Sequence, residues 1–284
     1  MLDIVAMKIR LALTAALLCC VSSVRGDEQL FGFVRGAETL PAQRFELYQF
    51  ITLRQGKDQG TYYGFDSETE FEYGVLDQLQ MSASLVQHYF YNQDVPELPN
   101  RNNYRFGGVE GSAKYRILSP FKDPLGLAFR VEGGYLINDE VDGLRQHERY
   151  IKPEIDLQKD FFDDRLICAL DFGVEWAWGK QPAEQYPREI SLEGAAGVAY
   201  RFARNWFLGA EIHTRWEYPL FDFDNFEHRV FYAGPTLHYS QQRWWATLTW
   251  NYQIYGKGVD EPASGQTFAE EQRQIARLKV GFNF

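Results

Sequence analysis

From Arg44 to the end of the chain, apolar and polar side chains alternate in one segment after another of roughly a dozen residues, close to the ~9–11 that a tilted strand needs to cross a bilayer. The pattern predicts twelve strands, near 44–54, 62–73, 79–91, 104–118, 125–137, 147–159, 166–178, 190–202, 206–218, 228–240, 244–255 and 272–284. The ninth is the clearest. Trp206, Leu208, Ala210, Ile212, Thr214, Trp216 and Tyr218 share one face, and Phe207, Gly209, Glu211, His213, Arg215 and Glu217 share the other. The seventh repeats it, with Leu166, Cys168, Leu170, Phe172, Val174, Trp176 and Trp178 set against Asp171 and Glu175. Aromatics at both ends of an apolar face, with aliphatics between, match the girdles that amphipathic rings form at the two membrane interfaces. A soluble sandwich would bury such a face against a second sheet and has no need of aromatics grouped at strand ends.

The connections alternate in length as well. Short ones fall at 74–78, 119–124, 160–165, 203–205 and 241–243, and longer charged or Pro-bearing ones at 55–61, 92–103, 138–146, 179–189, 219–227 and 256–271. The expected fold is therefore all-β: a single closed antiparallel transmembrane barrel of about twelve strands, with short periplasmic turns and longer extracellular loops. Ten or fourteen strands follow if the first segment or a long loop is misread. Closure is required because an open edge in hydrocarbon leaves backbone groups unpaired. The last strand, Ala276 to Phe284, ends on an aromatic residue, which resembles the terminal signal that the outer-membrane assembly machinery reads.

Ahead of the ladder, residues 1–26 read as a cleavable signal peptide: Lys8 and Arg10 precede the apolar run Leu11 to Val21, and Val24 and Gly26 are small enough for cleavage after Gly26. Neither Cys19 nor Cys20 follows a small residue, so lipidation is not expected. Residues 27–43 then form a separate amino-terminal segment, and 44–284 the barrel. In the segment, Leu30, Phe31, Phe33 and Val34 crowd together between Gly32 and Gly36, and Pro41 precedes the first strand. It is expected to fold into the lumen as a plug, with Arg35 and Glu38 engaging the wall; a disordered periplasmic leader is the alternative.

Composition narrows the function classes. The net charge is −10, and the predicted cleavage removes more bases than acids, so no nucleic-acid footprint exists. Mean hydropathy of −0.40 with 16% aromatic residues is wrong for a helical membrane protein and right for a barrel whose alternate residues face a polar interior. Cys168 would be the sole cysteine after cleavage, which leaves no internal disulfide.

The inward faces carry the chemistry. Asp66, Glu68, Glu70 and Glu72 occupy successive positions on one face of the second strand, and four carboxylates cannot face lipid. Closure is expected to bring Arg277 and Lys279 near Arg44 and Glu46, within reach of the acidic row. An acid column beside a basic one either sets a field across an open pore or fills a narrow barrel with ion pairs. Glu211, His213 and Arg215 add mixed charge on the ninth strand, and the acid excess leans weakly toward cations.

One pair is enzyme-like. His238 and Ser240 share a strand face, so the imidazole can lie near the hydroxyl. The pair resembles the His-x-Ser of outer-membrane phospholipase A and the His-Tyr-Ser of lipid A deacylases. It departs from them in its inward parity, in its place at the periplasmic end of the strand and in Gln241, where a deacylase has Asn. No orienting third residue is assignable. Glu211 and His213 lack the His-Glu-x-x-His context of a metal site, and no metal or cofactor is expected.

The stretch Glu28 to Pro41, continuing through Glu46, Tyr48-Gln49, Thr69-Glu70 and Glu72-Tyr73-Gly74, resembles an uncharacterised family of proteobacterial outer-membrane proteins known as domain of unknown function 6662. That resemblance covers about the first third of the mature chain and implies an exported barrel, with no activity to carry over. The leading functional expectation is a passive or weakly selective channel for small polar solutes, with outer-membrane lipid around it and Phe284 presented to the assembly machinery. The alternatives are a lipid hydrolase using His238 and Ser240, and a closed structural or adhesive barrel acting through external loops, chiefly 219–227.

Overall fold

The computed structural model describes residues 29–96, 98–141, 143–179, 188–259, 265–268 and 271–284. The predicted signal peptide lies outside these residues, as do parts of the fourth and sixth long loops. Twelve antiparallel strands close into one barrel in sequence order, with the first bonded to the last. They are β1 (Phe45–Gln55), β2 (Thr61–Leu76), β3 (Leu79–Gln93), β4 (Arg101–Leu118), β5 (Gly126–Asn138), β6 (Arg145–Phe161), β7 (Leu166–Trp178), β8 (Arg188–Ala203), β9 (Trp206–Pro219), β10 (His228–Ser240), β11 (Trp244–Gly258) and β12 (Gln274–Asn283).

Every boundary falls within three residues of the alternation. The reason is physical: a strand with hydrocarbon on one side and polar lumen on the other cannot slip by one residue without reversing both faces. The outer surface carries Leu47, Phe65, Leu85, Phe129, Ile155, Leu170, Phe172, Leu208, Leu248 and Phe282, all exposed large apolar side chains. An apolar exterior this extensive needs lipid. Short turns gather at one end of the barrel and long loops at the other.

One expectation fails. Across the β1–β12 seam Lys279 lies opposite Phe50 and Arg277 opposite Thr52, while Glu46 faces Asn283. The two bases therefore stand well above Arg44 and Glu46. An antiparallel seam pairs the start of β1 with the end of β12, so residues in the middle of β12 meet the middle of β1. Their neighbours across β1 are Glu68 and Asp66, opposite Phe50 and Thr52 on the far side.

Candidate functional site: the lumen and the segment that crosses it

Residues 29–41 run inside the barrel. The segment leaves β1 at the short-turn end, where Gln43 N donates to Gly74 O at 2.7 Å and Leu40 N to Gln80 Oε1 at 2.7 Å. It then sweeps round the bore. Ala37 N donates to Gln158 Oε1 (3.0 Å), Arg35 N to Asp171 Oδ2 (2.5 Å) and Phe33 N to Glu211 Oε2 (3.1 Å). Gly36 O accepts from Lys114, Gly32 O from Arg277 Nη1 (3.3 Å), Leu30 O from Thr236 Oγ1 (3.2 Å) and Gln29 O from Thr247 Oγ1 (2.6 Å). Irregular backbone inside a barrel has no sheet partner, so its polar groups must be met by wall side chains.

Apolar packing fixes the same path. Leu30, Phe31 and Val34 pack on Ile167, Ala169 and Ala199, with Ala195 and Phe207 beside them. Phe33 joins Val230, Tyr232 and Ile275. Its ring stacks on His213 at 4.2 Å between centroids, and the Arg277 guanidinium lies 4.0 Å from its centroid. Glycines on both sides allow this approach: a Cβ on Gly197 of the wall would stand 2.6 Å from the Phe31 ring, and one on Gly32 of the segment would stand 2.0 Å from Thr249 Cγ2.

Below the segment, at the short-turn end, inward side chains are buried. The Tyr48 hydroxyl sits between the Glu46 and Glu72 carboxylates at 2.7 and 2.9 Å, and Trp245 Nε1 donates to Glu46. Above it, toward the long loops, opens a cavity of about 1340 Å³ with Gly32, Phe33 and Arg35 in its lining. Acids outnumber bases in that lining sixteen to eight. Burial and Arg130 pull the Arg35 guanidinium's pKa down, but Glu70, Glu132 and Glu68 raise it above its ordinary value overall.

The predicted residues divide between these two levels. Asp66, Glu68, His213, Arg215 and Arg277 line the cavity. Glu46, Glu70, Glu72, Glu211 and Lys279 are buried at or below the segment. Asp66 is gripped by Arg54 at 2.8 and 2.9 Å and by His88 Nδ1 at 2.7 Å, so the top of the acidic row is paired. Lys279 Nζ donates to Gln29 Oε1 at 2.9 Å, and Glu211 Oε1 also accepts from Thr249 (2.7 Å) and Asn251 (3.0 Å). These groups hold the segment.

The far wall is different. Arg215 reaches four carboxylates, with Glu217 at 2.6 Å, Glu175 at 3.3 Å, Glu189 at 3.6 Å and Glu193 at 3.9 Å. Lys152 bridges Glu132 and Glu193 at 3.5 and 3.2 Å. In the β11–β12 loop, burial would raise the Glu271 pKa, but the His228 ring 3.2 Å away, together with Lys57 and Arg215, holds it at about 2.

Three clusters among the described residues could offer three ligand atoms to a metal: Glu217, His228 and Glu271; Glu154, Asp156 and Asp171; and Glu189, Glu217 and Glu227. Basic side chains already stand against all three, with Arg215 2.6 Å from Glu217 and 3.6 Å from Glu189. His228 lies 3.5 Å from Glu217 as well, Lys114 Nζ lies 3.5 Å from Asp156, and Arg130 pairs with Glu154.

His238 and Ser240 sit at the short-turn end. His238 is 1% exposed, and its Nδ1 lies 2.6 Å from Thr247 Oγ1. Its ring is packed between Phe207 and Trp245. On the loop 219–227, Tyr218 packs on Phe223 and Phe226, and Phe221 and Phe223 are exposed.

Residues 23–284 match a family of unknown function (DUF6662). The chain belongs to that family. No curated protein matches it in sequence. Among solved structures it is similar to an outer membrane channel from Pseudomonas putida F1, with a TM-score of 0.62 at 10% identity over 87% of this chain and 98% of that one. It is also similar to the NanC porin, with a TM-score of 0.50 at 11% identity over 84% of this chain and 98% of that one. At such identities the likeness is one of fold, and the fold is that of outer-membrane barrels.

Proposed function

We propose that this protein is an outer-membrane channel for small hydrophilic solutes, preferring cations, whose bore is closed at the short-turn end by residues 29–41. The observation that carries the reading is the charged vestibule of about 1340 Å³, with twice as many acids as bases in its lining. A mouth with excess negative charge in low-dielectric walls concentrates cations and repels anions. The Arg35 guanidinium on its floor is a cation already set among Glu68, Glu70 and Glu132. The porin-type fold supports the reading, as does the predicted signal peptide, which would deliver the chain to the outer membrane. Lipid then surrounds the barrel, and the exposed Phe284 is available to the assembly machinery.

The role proposed for the barrel is not enzymatic, since the His238 ring is committed to Thr247 and to its aromatic neighbours. In planar bilayers under a salt gradient, the barrel lacking residues 29–40 should give a reversal potential of the cation-selective sign, and adding Glu68→Gln and Glu110→Gln, both in the cavity lining, should move it toward zero. A folded barrel lacking residues 29–40 that passes no current overturns the channel reading.

A further inference from the structure

Eight hydrogen bonds join the wall to the backbone of residues 29–40, and each comes from a side chain on a different strand: Gln80, Lys114, Gln158, Asp171, Glu211, Thr236, Thr247 and Arg277. Such bonds read peptide backbone and are largely indifferent to the side chains it carries. Specificity comes from the two apolar pockets that take Phe31 and Phe33, and from the close approach at Gly32. The pockets lie on the inward faces of β7–β8 and β10–β12, where a barrel lined only for water would carry polar groups.

We infer that the lumen wall is a binding track for a peptide in an irregular, bent conformation, occupied in this structure by the chain's own residues 29–40. The ligand class is a peptide with paired apolar residues flanking a glycine, bent at that glycine. Recognition of this kind uses backbone hydrogen bonds for affinity and side-chain pockets for specificity. Here the donors and acceptors are wall side chains. The segment is tethered at Pro41, so it holds the track by effective concentration as well as by contact. A second peptide of the same pattern enters only when the tethered one leaves. The inference goes beyond the channel reading and does not depend on current flow.

The test empties the track in the full-length chain while leaving the wall intact. Phe31→Asp with Gly32→Leu removes the anchor and places a side chain where Thr249 stands. A fluorescent peptide of residues 27–41 is then titrated into this folded variant in detergent, with folding checked by heat-modifiable gel migration. The expected result is saturable binding at least tenfold tighter than that of a scrambled peptide, lost when Gly197→Leu fills the Phe31 pocket, and absent from the parent chain. Equal binding of native and scrambled peptides overturns the inference, as does binding to the parent as tight as to the variant.

Should that variant not fold, the parent wall is tested with Val34→Cys in a Cys168→Ala background. Val34 is fully buried, so a water-soluble maleimide should not label it until Gly197→Leu is added, after which labelling should rise at least tenfold. Unchanged labelling on adding Gly197→Leu contradicts the track.

Discussion

Truncating Phe31 isolates the contact that seats the segment. The ring is 1% exposed and is enclosed by Leu30, Val34, Ile167, Ala169 and Ala199. Phe31→Ala deletes that packing and leaves a cavity, at a cost of about 3–5 kcal/mol for a well-enclosed ring. The barrel itself keeps its strand ladder, so the loss falls on the equilibrium between docked and released segment. Taking the lower figure, the ratio of docked to released shifts by roughly 150-fold, since each 1.4 kcal/mol is a factor of ten. The assay is maleimide modification of Val34→Cys in a Cys168→Ala background, which follows the released population when redocking is faster than reaction. Phe31→Ala should speed modification by about a hundredfold, and Phe31→Leu by much less, because most of the volume is kept. A change of less than about threefold for Phe31→Ala would mean that the ring does not hold the segment.

Further outcomes follow from other parts of the molecule. Phe172→Arg, at the centre of the lipid face of β7, should cost about 2–4 kcal/mol in unfolding from lipid vesicles, whereas Phe172→Leu should cost far less. Arg215→Met removes the one guanidinium among four glutamates and should destabilise the barrel by roughly 1–3 kcal/mol at neutral pH, a figure reduced because its side chain is 32% exposed. Acidification should restore part of that loss as the carboxylates take up protons. Glu271, held at about 2 against an ordinary 4.5, contributes stability that is complete above its unfolded value and is lost as pH falls toward its folded one. Glu271→Gln should therefore flatten the acid limb of a thermal-stability profile between pH ~4.5 and ~2, by an amount on the order of 3 kcal/mol.

The strands were legible because lipid and lumen impose a period of two on every crossing, and the turns between them were legible from length alone. The placement of Arg277 and Lys279 was less so. Their inward parity follows from alternation, but their height depends on the seam register, which no single strand encodes. The path of residues 29–41 was half legible. The crowding of Leu30, Phe31, Phe33 and Val34 signalled an apolar contact, but its partners come from strands that meet only when the sheet closes. A further signal lies in the sequence: Ile167 and Ala169 are apolar on the inward face of β7, opposite Leu166, Cys168 and Leu170, so that end of the strand is apolar on both faces. Ala195, Gly197 and Ala199 repeat the feature on β8, where small residues make room for Phe31. The acidic row was visible as a row, but its division into an open upper part at Asp66 and Glu68 and a buried lower part at Glu70 and Glu72 is set by the height of the segment.

The most direct test of the barrel itself is a scan of nitroxide labels along β9, residue by residue from Trp206 to Tyr218, in lipid vesicles. Labels at 206, 208, 210, 212, 214, 216 and 218 should collide with oxygen dissolved in the bilayer, and those at the intervening positions with a water-soluble nickel reagent or with neither. A strict period of two is the predicted result. Uniform water accessibility, or a period near three and a half residues, would contradict a strand that separates hydrocarbon from lumen.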